Sequence, residues 1–168
     1  MKFSTKSRFA IPAAAFGLMA FGLASVPATA ATATNSFGVS ATVQAACTVT
    51  AATMAFGSYT GTTANATSAV SVTCTNATPY NVGLSAGMAS GATVNARKMT
   101  GPASGLLSYS LFSDPSRTLN WGQTVGSDTV MGTGNGAAQA LTVYGQTPAG
   151  QYLAPGSYTD TVIATITY

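Results

Sequence analysis

No histidine and no glutamate occur in this chain, and charged residues make up only 5% of it, against about a quarter in an ordinary soluble domain. General acid and base catalysis at neutral pH therefore has few candidates. The three carboxylates, Asp114, Asp128 and Asp160, are scattered, so neither a glycosidase pair nor a calcium loop is spelled out, and turn or capping roles suit them better. A serine nucleophile would need a base, and after Ala30 the only lysine is Lys98, next to Arg97 in a stretch rich in Gly and Ser. Gly132-Thr133-Gly134-Asn135-Gly136 lacks the spacing and following helix of a phosphate loop and reads as a connection. The expectation is a protein that is not an enzyme and that holds no cofactor and no metal.

Half of the cations, Lys2, Lys6 and Arg8, sit at the very start, ahead of an apolar run from Phe9 to Val26 and the small-x-small triplet Ala28-Thr29-Ala30. This is the pattern of a cleaved secretory signal peptide over residues 1–30. The alternative is an uncleaved membrane anchor; Pro12, Gly17, Gly22 and the cleavage triplet weigh against it. Once the leader is removed, Arg97, Lys98 and Arg117 balance the three aspartates. A chain with no basic patch offers nothing to nucleic acid or to an anionic membrane. No later segment is long and apolar enough to insert into a bilayer, and a neutral surface of Thr, Ser, Asn and Gly suits a protein that associates.

Export also decides the reading of the two cysteines. Cys47 and Cys74 reach an oxidising compartment, where a disulfide is the default; as metal ligands they would have no partners. Closing a loop of that length contributes about 3 to 4 kcal/mol in the chain-entropy treatment.

From there on the apolar period is two. Val70, Val72 and Cys74 alternate with polar residues, as do Tyr80, Val82 and Leu84, then Leu107, Tyr109 and Leu111, then Leu141 and Val143, and finally Val162, Ala164, Ile166 and Tyr168. Turn signals at Gly61, Thr78-Pro79, Gly101-Pro102, Asp114-Pro115, Gly132 to Gly136 and Pro155-Gly156 separate the runs. The spacing predicts an all-β antiparallel sandwich in one domain, with Ala86 to Ala103 as a loop or irregular hairpin. Asn65-Ala66-Thr67 and Asn76-Ala77-Thr78 match a glycosylation pattern that chance supplies in so Thr-rich a chain, and Trp121 reads as core or a turn anchor rather than a sugar platform.

One further alternating stripe stands alone: Phe37, Val39, Ala41 and Val43, between the leader and the first cysteine. Nothing upstream in the mature chain would tie it down, so it reads as a strand written to pair outside its own domain.

The closing run from Pro155-Gly156-Ser157-Tyr158 to Ile166-Thr167-Tyr168 resembles that of spore coat protein U domain proteins. Cys47-Thr48-Val49, Phe56-Gly57-Ser58-Tyr59 and the strand that ends in Cys74 agree with it. That family includes the subunits of archaic chaperone-usher pili. The resemblance implies an incomplete immunoglobulin-like β-sandwich, residues 46–168, completed by a donor strand from another subunit. The donor would be residues 31–45, with Phe37, Val39, Ala41 and Val43 inserted beside Val162, Ala164, Ile166 and Tyr168. Ala41 is the one small residue in that stripe. Implied partners are other pilin subunits, a periplasmic chaperone that lends a strand at the same edge, and an outer-membrane usher. The implied setting is export to the periplasm and then a surface pilus that supports adhesion and biofilm formation. The rival readings are a self-contained secreted sandwich with the stripe as its first strand, a coat protein, a carbohydrate-binding tip adhesin and a secreted hydrolase.

Overall fold

A computed structural model describes residues 27–168. Most of the leader expected over residues 1–30 therefore lies outside the described residues. Compact units divide at Ser40/Ala41. In the first, residues 27–40 carry no regular secondary structure and are exposed. The second, Ala41–Tyr168, is the folded domain.

The domain is an all-β sandwich of eight strands: β1 Cys47–Ala51, β2 Ala64–Cys74, β3 Pro79–Leu84, β4 Arg97–Thr100, β5 Leu106–Phe112, β6 Val130–Thr133, β7 Ala138–Thr147 and β8 Ala164–Thr167. Five strands form one sheet in the order β1-β2-β7-β5-β4, and three form the other in the order β6-β3-β8. Every strand pair is antiparallel. Among the described residues no helix is long and apolar enough to cross a membrane.

The alternation seen in the sequence is the cause of this layering. Val70, Val72, Cys74, Tyr80, Val82, Leu84, Tyr109, Leu111 and Val143 all turn one face inward and meet in a single core, closed at one side by the indole of Trp121. Its Nε1 donates to the Val82 carbonyl at 2.8 Å, so the ring is buried with its one polar atom satisfied. The longest ladder is β2 on β7, with ten residue pairs from Ala64↔Thr147 to Thr73↔Ala138.

The disulfide joins Cys47 to Cys74. These residues are directly opposite each other in the β1–β2 register, so the bridge fastens the first residue of β1 to the last of β2. Residues 86–103, expected as a loop or an irregular hairpin, contain both: Thr93 and Ala96 form an antiparallel bridge, and Arg97–Thr100 is the edge strand β4, paired to β5. Two expectations need correction. Gly132 and Thr133, expected in a turn, end the strand β6. The last strand is shorter than its alternation, Ala164–Thr167, with Val162 before it and Tyr168 after it.

β4 was hidden because it owes its place to Arg97 and not to an apolar period. That side chain is fully buried. Its Nε donates to the Ser85 carbonyl at 2.8 Å, Nη1 to Val94 at 2.7 Å, and Nη2 to Leu84 at 2.8 Å and Trp121 at 2.7 Å. Burial lowers the guanidinium's pKa, while the negative potential of Tyr109, Asp160 and Asp128 opposes that shift. One cation thus gathers carbonyls from three loops, a buried polar network with its main donors used.

Candidate functional site: an open seam in the sandwich

β1 and β8 are both end strands, each paired on one side only. No ladder joins them, although the two strands lie close together, and the sandwich opens where β1 ends. After Ala51 the chain leaves β2: the last backbone bond between them runs from Ala52 N to the Ala69 carbonyl at 2.9 Å, and Ser68 Oγ then donates to the carbonyls of Ala52 and Thr53. Residues 53–60 belong to no strand. Across from them runs the segment before β8, held from behind. Thr159 exchanges two backbone bonds with Thr100 on the β4 edge, at 2.9 and 3.0 Å, and Ser85 N donates to the Ile163 carbonyl at 2.9 Å.

Two adjoining hollows lie between these walls. The first, about 440 Å³, is lined by Ala51 to Met54 and Phe56 on one side and Tyr158 to Val162 and Ala164 on the other, over a floor that includes Val70, Leu84, Leu111 and Val143. The second, about 830 Å³, continues between Met54 to Gly61 and Gln151 to Tyr158. As one wall runs from 51 to 61 the other runs from 164 back to 151, so the walls are antiparallel. Gly145 on β7 makes room for them: a Cβ there would collide with Met54 Sδ and the Phe56 ring. Phe56 in turn meets Tyr109 edge to face, with ring centroids 6.1 Å apart.

The far end is pinned by side chains where strands do not pair. Tyr59 donates its hydroxyl to the Pro148 carbonyl at 2.6 Å and accepts from Gln151 N at 3.2 Å. The Gln151 amide accepts from Ser108 N at 2.7 Å and donates to Ser108 O at 3.1 Å, as a neighbouring strand would.

One carboxylate lies in the wall formed by Tyr158 to Val162. Asp160 accepts from the Tyr109 hydroxyl at 2.6 Å and from the backbone N–H groups of Met88 and Thr161 at 2.8 Å each. Burial, then the hydrogen bond to Asp160 and its charge, push the Tyr109 phenol above its ordinary value, with Arg97 opposing. Asp114 and Asp128 serve separate turns. Asp114 accepts from Thr118 and Leu119, and Asp128 from Thr124 N. Slight desolvation pushes the Asp114 carboxyl up, but those hydrogen bonds outweigh it and hold it below its usual range.

The residues singled out in the sequence fall on both sides of this seam. Val162, Ala164 and Ile166 are half-buried and pack against the core, whereas Tyr168, beyond β8, is 59% exposed. On the donor side, Phe37, Val39 and Val43 are 86%, 84% and 86% exposed, and Ala41 is exposed as well. The opposite wall is only half legible in the sequence: Phe56 and Tyr59 stand in a motif, while Met54 and Phe56 alternate over too short a run to mark a strand. Met99 gave no sequence signal, and Tyr158 stood only in the closing motif, with nothing to place it in the hollow, because only folding brings the two there.

An immunoglobulin-like sandwich with one open seam, preceded by an unburied alternating segment, defines the class. Residues 33–165 match the Spore Coat Protein U domain, and the chain belongs to that family. It is 37% identical to Protein U of Myxococcus xanthus over 97% of its own length and 98% of the relative's. Its fold is similar to one in the solved chaperone-tip adhesion subunit pre-assembly complex CsuC-CsuE from the archaic chaperone-usher Csu pili of Acinetobacter baumannii. The TM-score is 0.56 at 21% identity, covering 76% of this chain and 41% of that one.

Proposed function

We propose that this chain is a structural, non-catalytic subunit of a surface pilus assembled by the chaperone-usher route through donor-strand complementation. Residues 1–30 direct export and are removed. Residues 31–45 are the donor, and residues 46–168 form the acceptor domain. The observation that carries this reading is the coexistence of an unfilled apolar seam and an exposed stripe of matching period. An open seam leaves apolar surface and unpaired backbone in water, a standing invitation to another strand. Burying Phe37, Val39 and Val43 would contribute about 1.5 to 3 kcal/mol each, with the new main-chain bonds in addition.

The partners are other subunits, a periplasmic chaperone that covers the same seam before assembly, and an outer-membrane usher where the exchange takes place. The structural neighbour was caught with its chaperone, which supports that order of events. The pilus stands at the cell surface, where it serves adhesion and biofilm formation. A second reading, a coat component with a self-contained sandwich, draws on the kinship with Protein U.

Truncation separates the two. With residues 31–44 removed, the domain is expected to lose polymerisation and to gain stability when a peptide of that sequence is added. An equally stable monomer that ignores the peptide would establish the self-contained sandwich instead.

A further inference from the structure

We infer that the joint Gln44-Ala45, next to the disulfide, denies the stripe to its own groove and so reserves the groove for a second copy. This rests on the donor-strand reading above and adds why the chain cannot supply its own missing strand.

Register decides the matter. Ala46 is fixed beside the turn after β2: its N–H donates to Thr75 Oγ1 at 3.2 Å and its carbonyl accepts from Thr75 N at 2.9 Å. Cys47, the next residue, is bridged to Cys74. If the stripe folded back onto the free edge of β1 around Gln44-Ala45, Val43 would face Ala46, Ala41 would face Thr48, and Val39 would face Thr50. Directly opposed residues share a face. β1 turns Cys47 and Val49 toward the core and leaves Thr48 and Thr50 exposed, so this hairpin would put the entire stripe on the solvent side.

A three-residue loop over Gln44-Ala45-Ala46 corrects the face, pairing Val43 with Cys47 and Ala41 with Val49. It also pulls Ala46 from Thr75 and asks for a left-handed residue where the sequence has no glycine. Even then Phe37 reaches only Thr53. The inward residues of the seam, Met54 and Phe56, would be met by Ser36 and Thr34, because the inward positions change parity between Val49 and Met54. Longer loops draw the stripe further back. A stripe from another molecule has no such tether and is free to slide until its period matches the seam.

The test compares three exported chains refolded from denaturant with the disulfide intact: wild type, a variant with about eight Gly and Ser residues inserted between Ala45 and Ala46, and the double variant Q44N/A45G. The readouts are sedimentation at several concentrations and uptake of a labelled peptide of residues 31–44. Wild type is expected to take up the peptide and to form oligomers that grow with concentration. The insertion gives the stripe enough slack to cap its own groove at millimolar effective concentration, so the variant stays monomeric and peptide uptake falls by about a hundredfold or more. Q44N/A45G builds the favoured two-residue turn, yet with the wrong parity, and behaves as wild type. A wild-type chain that is monomeric at every concentration and refuses the peptide, or a double variant that caps itself, overturns the inference. If no variant takes up the peptide and the stripe amides exchange freely in all three, the donor-strand reading itself has failed.

Discussion

The ladder between β2 and β7 and the seam between residues 53–61 and 151–163 are written in the same alphabet of Thr, Ala, Ser, Tyr and isolated bulky apolar residues, yet they end in opposite states. In the ladder ten pairs of residues lie in register across two strands. Along the seam the inward residues Met54, Phe56, Val162 and Ala164 are in place, but no strand lies between them. Alternation therefore specifies which face of a segment turns inward. It does not specify that a partner strand exists within the same chain.

The difference can be widened or erased by substitution. The largest effect is expected from Val39→Asp on the donor side: a carboxylate carried into an apolar seam costs several kcal/mol, so fibre yield should fall by more than about a hundredfold while the monomer's unfolding midpoint stays put. Normal fibres from that variant would remove the stripe from the assembly. Next is Arg97→Met, which leaves four backbone carbonyls, one at the end of β3 and three in loops, without their donor. A loss of about 3 to 5 kcal/mol is expected in denaturant unfolding, and because the guanidinium lies outside the seam, peptide uptake by the folded fraction should be unchanged. Cys47→Ser with Cys74→Ser should lower stability by about 3 to 4 kcal/mol; an unmoved midpoint would show that the β1–β2 edge holds without the bridge.

The smallest effect sharpens the comparison inside the seam. Tyr109 donates to Asp160 there, and its phenol is held above its ordinary value. A raised folded-state pKa contributes stability that is fully present below the unfolded value of about 10 and is lost as pH rises above it. Tyr109→Phe should cost about 2 kcal/mol at neutral pH and flatten the alkaline decline in stability. An unchanged slope above pH 10 in the variant would assign that decline to other groups.

How much of this was readable beforehand follows from the kind of interaction involved. β2, β3, β5, β7 and β8 announced themselves because each repeats an apolar residue every second position, and the core of Val72, Val82, Leu111 and their neighbours follows from that period alone. β4 did not, since Arg-Lys-Met-Thr has no such period and is fixed by a guanidinium whose acceptors, at residues 84, 85, 94 and 121, are dispersed along the chain. The hollow itself was half visible. Val162, Ala164 and Ile166 mark one wall by alternation, while Met99, Tyr109 and Tyr158 join it only after the loops have crossed. The role of Asp160 was missed for the same reason: a lone aspartate before Thr161 looks like a turn residue until Tyr109, fifty-one positions away, arrives to donate to it.

The sequence by itself determined that the chain carries a secretory leader pattern, that its domain is all β, that Cys47 and Cys74 are the only sulfurs available to bridge, and that one alternating stripe precedes them. All of these depend on composition or on short-range period, which a linear string preserves. Only the tertiary structure decided which edges meet, that β1 and β8 end the two sheets without a strand between them, and that Arg97 is buried among carbonyls. Those outcomes depend on which distant segments compete for the same edge, and that competition is settled in three dimensions by packing and hydrogen-bond satisfaction.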